Sequence, residues 1–184
     1  MHALTEDQAM ASFEIGARDR LIPWREIKIS PSTPSATEES GHYNFPVSFT
    51  HRGVQWKHSR RPDGQPFAIA YPDDKDRFCV LEIDLKTEQL KWSDKDRQTI
   101  ERKFVAYLNV LENKTHESHL GFPDLNILFT TISVGRLESM MELLASIAPR
   151  FLNHFAFETF PTIAGNTLQP VDKGRALTAL APKQ

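Results

Sequence analysis

The sequence predicts an α/β protein with a central mixed β-sheet flanked by helices. In an extended strand at residues 78–86 one face is apolar throughout, and the other begins apolar and ends with two carboxylates and an ammonium. Residues 124–131 form a long apolar run that is typical of an interior parallel strand. Between these two segments an apolar stripe recurs at helical spacing, formed by Ile100, Phe104, Leu108 and Leu111. A helix that connects two strands in this way makes them parallel neighbours in one sheet.

Size and composition limit the class of protein. The 184 residues are 40% hydrophobic and 25% charged, as in an ordinary single domain with its own core. The net charge of −2 leaves no global basic excess, so contact with nucleic acid would need a local basic patch. No apolar run approaches a membrane span, no signal-peptide core is present, and the single Cys79 cannot form an internal disulfide. These features predict a cytoplasmic protein without a membrane partner.

The first elements lie in the N-terminal quarter of the chain. Thr5 and Gln8 form a capping box, which predicts a helix that runs to about Ala17. Residues 22–29 then alternate and predict a strand, and residues 44–50 predict a short edge strand.

Two segments have the composition of irregular chain. Residues 30–41 are rich in Ser, Thr, Pro and Glu, with almost nothing to bury, and predict a mobile loop. Residues 164–184 are rich in Pro, Gly, Lys and Ala and predict a loose C-terminal tail. The remaining residues, 1–163, are expected to form one α/β domain.

The C-terminal half carries two helix signals and a last strand. Ser93 is expected to cap the helix that bears the stripe at Ile100, and Ser133 to cap the next helix. The core side of that second helix is predicted to comprise Leu137, Met140, Met141, Leu144 and Ile147. Residues 151–160 are aromatic-rich and predict a strand at the edge of the sheet.

Carboxylates gather at one end of a predicted hairpin. The strand at residues 78–86 ends with Glu82, Asp84 and Lys86, and the partner segment begins at Asp63. If Tyr71 pairs with Phe78 across the polar connection, counting back by two places Asp63 beside the acidic end of the strand.

Like charges at the end of a half-buried strand are costly unless something compensates them. Oxygen ligands at such a place suit Mg²⁺ or Mn²⁺ better than a soft metal. Asp63, Glu82 and Asp84 are therefore the candidate metal ligands, with Lys86 as a nearby ammonium.

A basic cluster directly precedes this acidic hairpin. It contains Lys57, Arg60 and Arg61, just before Asp63. Such a cluster would bind a phosphate backbone that a metal polarises. The alternative is an ordinary surface charge run that balances the acidic residues of the hairpin connection.

Lys103 and Tyr107 are four residues apart beside the apolar stripe, so they point the same way. If their helix packs across the hairpin, both face the carboxylates, and Tyr107 then joins the basic cluster as a candidate nucleic-acid contact. The alternative is a lysine that extends its stem to the surface and a half-buried tyrosine.

These residues resemble the PD-(D/E)XK nuclease superfamily, with Pro62-Asp63 opening one strand and Glu82 on the next. The resemblance implies a restriction-endonuclease-like fold with an αβββαβ core, in which Asp63 and Glu82 bind Mg²⁺ together with the carbonyl of Ile83. The superfamily's lysine position holds Asp84 here, so the resemblance implies that Lys86 or Lys103 supplies that charge, or that the site is inactive.

A closer resemblance is to the replication-relaxation family of plasmid and mobile-element proteins. Four segments are similar to that family's pattern in the same order: Arg61–Gly64, Phe78–Glu88, Lys103–Leu108 and Ile127–Arg136. Family members usually carry an N-terminal winged-helix DNA-binding domain, which is not seen in this sequence. The resemblance therefore implies a DNA-associated role with a winged-helix or replication/relaxation protein partner.

Three hypotheses follow from these residues. The first is an endonuclease in which Asp63, Glu82 and Asp84 hold Mg²⁺ or Mn²⁺ and Lys86 or Lys103 orients water or offsets charge. The second is a catalytically inactive module of the same fold that binds DNA or a replication protein. In the third, the acidic strand end pairs internally with Arg60 and Arg61 and binds nothing.

Overall fold

A mixed five-stranded sheet flanked by helices forms the centre of the computed structural model, which describes residues 7–11, 17, 20–51, 53–71, 75–85, 87–92 and 98–159. The strands of the described residues are β1 (Leu21–Pro23), β2 (Phe45–His51), β3 (Val54–Arg60), β4 (Phe67–Ile69), β5 (Arg77–Asp84), β6 (Asn126–Thr131) and β7 (Phe155–Thr159). The sheet order is β1-β4-β5-β6-β7, while β2 and β3 form a separate antiparallel ribbon. The predicted α/β class with a mixed, helix-flanked sheet is confirmed.

The helices of the described residues are α1 (Trp24–Ile27), α2 (Ser35–Ser40), α3 (Ile100–Glu112), α4 (Thr115–Leu120) and α5 (Val134–Ile147), with a 3-10 helix at Pro149–His154. Residues 7–11 are also helical. Helix α3 connects β5 to β6, which pair in parallel as predicted, and β6 pairs in parallel with β7. Within the described residues, none of the helices combines the length and apolar character that crossing a membrane requires.

The sheet buries apolar side chains on both faces. On one face Val80 and Phe129 join α3 and α5 in the larger core cluster. On the other face Cys79 and Leu81 pack with Ala9 of the N-terminal helical segment. Burial raises the pKa of the Cys79 thiol, so this cysteine remains a protonated core residue.

Two predictions for the segment before β2 are wrong. The strand expected at 22–29 ends at Pro23, and α1 follows because helical spacing buries both Trp24 and Ile27, whereas alternation would separate them. The loop expected at 30–41 contains α2. Its anchor is Thr37, whose Oγ1 donates to the His119 carbonyl over 2.6 Å.

Two helix predictions also need correction. Helix α3 begins at Ile100, not near Ser93, because Thr99 is the N-cap and its Oγ1 accepts the Arg102 backbone N–H over 3.2 Å. In α5 the cap at Ser133 is as predicted, but Met141 and Ile147 are 47% and 37% exposed because α5 meets the core along a narrower stripe. Ser93, Lys86 and the predicted tail at 164–184 lie outside the described residues.

Gly121 ends α4 with a φ of +75°, and a Cβ there would lie 2.1 Å from the Ser32 carbonyl oxygen. Gly41 ends α2 with a φ of +64° and has open space around it. We expect Gly41→Ala to cost about 1 kcal/mol through the left-handed backbone alone. Gly121→Ala should cost more, because the Ser32 backbone must also move. Urea unfolding of both variants checks this, and equal losses would contradict it.

Candidate functional site

Asp63 lies alongside β5, in the segment that precedes β4. The backbone N–H groups of Asp63 and Gly64 both donate to the Leu81 carbonyl, over 3.0 and 3.2 Å. The Asp63 carboxylate in turn accepts the Ile83 N–H over 2.8 Å. These three bonds fix Asp63 beside the strand that carries Glu82.

The predicted hairpin register is wrong by three residues. Phe78 pairs with Ala68 and not with Tyr71, Cys79 pairs with Phe67, and the Asp63 carboxylate reaches the Ile83 N–H. The ladder is short because the preceding segment contains Pro62 and Pro66, which have no N–H to donate.

The Lys103 ammonium is the point at which the carboxylates meet. Its Nζ lies 3.3 Å from Asp63 Oδ2, 3.0 Å from Glu82 Oε2 and 3.1 Å from Glu88 Oε1, and its side chain is only 3% exposed. Asp63 and Glu82 therefore face the same side of the sheet. Burial acts to lower the pKa of Lys103, but the charges of Glu82 and Asp63 raise it above its usual value, so the group stays an ammonium ion.

Glu82 is buried, and both of its carboxylate oxygens have partners. Its Oε1 accepts the Tyr107 hydroxyl over 2.5 Å, and its Oε2 contacts both Arg60 and Lys103. Burial alone would raise the pKa of Glu82, but the Arg60 and Lys103 cations lower it to about 2. Burial and the adjacent carboxylate raise the pKa of Tyr107 well above its usual value, so the tyrosine stays a proton donor.

Both members of the helical pair Lys103 and Tyr107 thus face the carboxylates. The alternative, a lysine that extends to the surface, is wrong for this residue. Tyr107 has no exposed surface, so it does not contribute a nucleic-acid contact in this conformation. Tyr107 contacts Glu82 and forms a T-shaped pair with Phe45 at a centroid distance of 6.3 Å.

The predicted basic cluster is divided between the inside and the outside of the molecule. Arg60 is buried against Glu82, with its guanidinium 5.6 Å from the Tyr107 ring centroid, so it is neither a surface contact nor part of an ordinary surface charge run. Lys57 is exposed on β3. Arg61 is exposed as well, and it donates to the Tyr43 hydroxyl over 2.9 Å.

Asp84 does not join Asp63 and Glu82. Its carboxylate forms a bidentate pair with Arg136, at 2.6 Å from Nε and 3.3 Å from a terminal nitrogen, and accepts the Thr131 hydroxyl over 3.3 Å. Two residues further along the same face of β5, it meets the start of α5 and not Lys103. The prediction of Asp84 as a metal ligand beside Asp63 is therefore corrected to a structural ion pair.

Glu88 belongs to the site and was not among the predicted residues. Its Oε1 binds Lys103, and its backbone carbonyl accepts a hydrogen bond from Arg136 over 2.5 Å. Burial raises the pKa of Glu88. Burial and the charge of Glu82 raise the pKa of Asp63 as well. The sequence offers little signal for Glu88, because it lies beyond the end of β5 where strand alternation no longer applies.

The donor chemistry of Asp63 and Glu82 fits a hard divalent cation, since carboxylate oxygens are the ligands that Mg²⁺ and Mn²⁺ prefer. In the described ranges, no three Asp, Glu, His or Cys side chains are grouped so that they could hold a metal ion. The Lys103 ammonium takes the place at which the oxygens converge. A metal held by Asp63 and Glu82 would therefore require this ammonium to shift.

Comparison of the chain with protein-family models, with curated proteins and with solved structures finds no match.

The low pKa of Glu82 predicts how the free energy of unfolding depends on pH. Because the pKa of about 2 lies below the ordinary value of 4.5, the ionised carboxylate stabilises the fold above pH 4.5, and this contribution is lost as the pH falls towards 2. Glu82→Gln lacks it. We expect the difference in free energy of unfolding between wild type and Glu82→Gln to narrow by roughly 3 kcal/mol on acidification.

Urea unfolding across this pH range measures that difference. Glu112→Gln is the matched control, because Glu112 forms an exposed pair with Arg150. A difference for Glu82→Gln that does not change with pH would contradict the low pKa.

Proposed function

We propose that the protein is a DNA-associated, metal-dependent endonuclease with a PD-(D/E)XK-like site on a restriction-endonuclease-like core. The observation that carries the proposal is the meeting of the Asp63 and Glu82 carboxylates at the Lys103 ammonium. The order of elements also supports it: the N-terminal helical segment, β1, β4, β5, α3 and β6 follow an αβββαβ order, with residues 24–60 inserted after β1.

In this proposal Asp63, Glu82 and the carbonyl of Ile83 hold Mg²⁺ or Mn²⁺. The cation, when bound, polarises the phosphate and lowers the pKa of a bound water. Lys103 stays protonated, so it stabilises the negative charge that develops on the phosphoryl group and does not act as a base. Tyr107 keeps Glu82 oriented by donating a hydrogen bond from its hydroxyl group to Oε1. A role for Lys86 remains a prediction from the sequence.

DNA is the proposed substrate class, with a role in plasmid or mobile-element replication or mobilisation. Lys57 and Arg61 are exposed and offer charges for phosphate contacts. Because the net charge of −2 leaves no global basic excess, a winged-helix or replication/relaxation partner is proposed to supply additional DNA affinity.

A second candidate is a catalytically inactive module of the same fold that binds DNA or a replication protein. It is favoured by the contacts of Glu82, whose carboxylate is already paired with two cations, Arg60 and Lys103. The Asp84–Arg136 pair supports it too, because it occupies the position where the superfamily places its lysine.

Incubation of supercoiled plasmid with Mn²⁺ or Mg²⁺ separates the two candidates. If the protein is an endonuclease, Asp63→Asn, Glu82→Gln and Lys103→Met should each slow nicking at least about a hundredfold. Glu112→Gln should nick at the wild-type rate, since Glu112 lies in an exposed pair elsewhere. Equal nicking by wild type and Asp63→Asn would contradict the endonuclease proposal.

Gel-shift titration tests DNA binding without metal. We expect the combined change Lys57→Gln and Arg61→Gln to weaken binding and to lower the dependence of log Kd on log salt by about two phosphate contacts. Arg150→Gln is the control of the same charge type. The absence of a shift by wild type at low salt would contradict DNA binding, and with no nicking it would favour the purely internal ion pairs of the third hypothesis.

A further inference from the structure

A cavity of about 240 Å³ lies between the sheet, the C-terminal end of α4 and the turn that follows α1. Its floor is a row of side chains across neighbouring strands, because Ile22 of β1 pairs with Ala68 of β4, and Ala68 pairs with Phe78 of β5. Directly paired residues project from the same face of a sheet. The small Ala68 between two larger side chains therefore leaves the space above the floor open.

The walls of the cavity are aromatic and aliphatic. Phe78 and Phe122 stack with 4.7 Å between their ring centroids and 23° between their planes. Ile27 and Leu120 are both buried and continue the apolar lining. Walls of this kind favour an apolar ligand, and an aromatic ring gains additional contacts from the two phenylalanines.

The charged part of the lining is acidic. Glu26 of α1 and Asp76, in the segment before β5, are both exposed, so their carboxylates lie on the solvent side of the cavity. Among the described residues that line it, none is Lys, Arg or His. Glu26 contacts Arg25 at 3.8 Å, with side chains 57% and 82% exposed, and so open a pair is weak. The Ser30 and Ser32 hydroxyls add neutral hydrogen-bonding groups.

We propose that this cavity binds a small organic ammonium ion that carries an aromatic ring. The ring packs against Phe78 and Phe122, and the ammonium group stays on the solvent side beside Glu26 and Asp76. A neutral ligand gains nothing from the carboxylates, and an anion is repelled by both. The described lining shares no residue with the cluster around Lys103, so the inference does not rest on the proposed function.

The cavity volume limits the size of the ligand. A water molecule occupies about 30 Å³ in the liquid, so the cavity corresponds to about eight non-hydrogen atoms. Benzylamine has this size and is protonated at neutral pH. Benzyl alcohol has the same shape without the charge, and benzoate has the opposite charge, so the three compounds form a matched set of probes.

Titration of the ¹⁵N-labelled full chain with each probe, followed by two-dimensional NMR, tests the site. Benzylamine should bind at least about fivefold more tightly than benzyl alcohol, because its ammonium group pairs with exposed carboxylates. Benzoate should bind more weakly than benzyl alcohol. The amide signals of Ala68 and Phe122 should shift during the benzylamine titration, since both residues line the cavity.

Substitutions test the residue basis. Glu26→Gln combined with Asp76→Asn should abolish the preference for benzylamine over benzyl alcohol, and these exposed positions should leave the fold intact. Glu138→Gln, which removes an exposed carboxylate of α5, should bind both compounds as wild type does. Ala68→Leu should exclude both compounds by filling the floor. Thermal melting shows whether Ala68→Leu folds, and if it does not, the charge variants decide.

The outcomes either support or overturn the inference. Equal affinity of wild type for benzylamine and benzyl alcohol would overturn it, as would the absence of benzylamine binding. A preference that survives the combined substitution of Glu26 and Asp76, or signal shifts confined to residues outside the cavity, would show that the amine binds elsewhere. Plasmid nicking bears on neither result, because it reports on the cluster around Lys103.

Discussion

The buried ion pairs around Lys103 are the constraint on which the site depends. One ammonium joins the segment before β4, the strand β5 and the segment that follows it, through Asp63, Glu82 and Glu88. None of these charges would be stable in the interior without the others, because an isolated buried charge loses its hydration without compensation. The cluster is therefore a single electrostatic unit in which each residue determines the state of the rest.

The hydrophobic core places the cations of this unit. Phe104 lies next to Lys103 on α3 and packs against Phe129 of β6 at a centroid distance of 4.9 Å. This contact fixes the rotation of α3 about its axis, so Lys103 and Tyr107 face β5 together. The ribbon β2–β3 brings Arg60 from the other side, because Phe45, paired with Arg60 in register, is buried against Tyr107. Packing thus determines where the charges meet.

The sequence predicts what local periodicity encodes, and it fails where distant contacts decide. The parallel pairing of β5 and β6 and the stripe of α3 follow from patterns within short windows. The sequence also places Asp63 beside the acidic end of β5, but through a hairpin register that is wrong by three residues. Helix α2 was not predictable in this way, since the Thr37 hydroxyl that anchors it binds a carbonyl 82 residues away. The role of Asp84 likewise depends on Arg136, which lies 52 residues further along the chain.

Glu82 contacts Arg60, Lys103 and Tyr107 at the same time, and these contacts constrain which substitutions the chain can accumulate. A single substitution at any of these positions leaves its buried partners without a counter-charge or a hydrogen bond, which is destabilising. Concerted substitution of all of them by apolar residues of similar volume can be neutral. We therefore expect descendants of this chain to keep or lose positions 60, 82, 103 and 107 as a block. Chains that carry only one of the changes should be rare, because each single substitution lowers the stability of the fold before the all-apolar arrangement is reached.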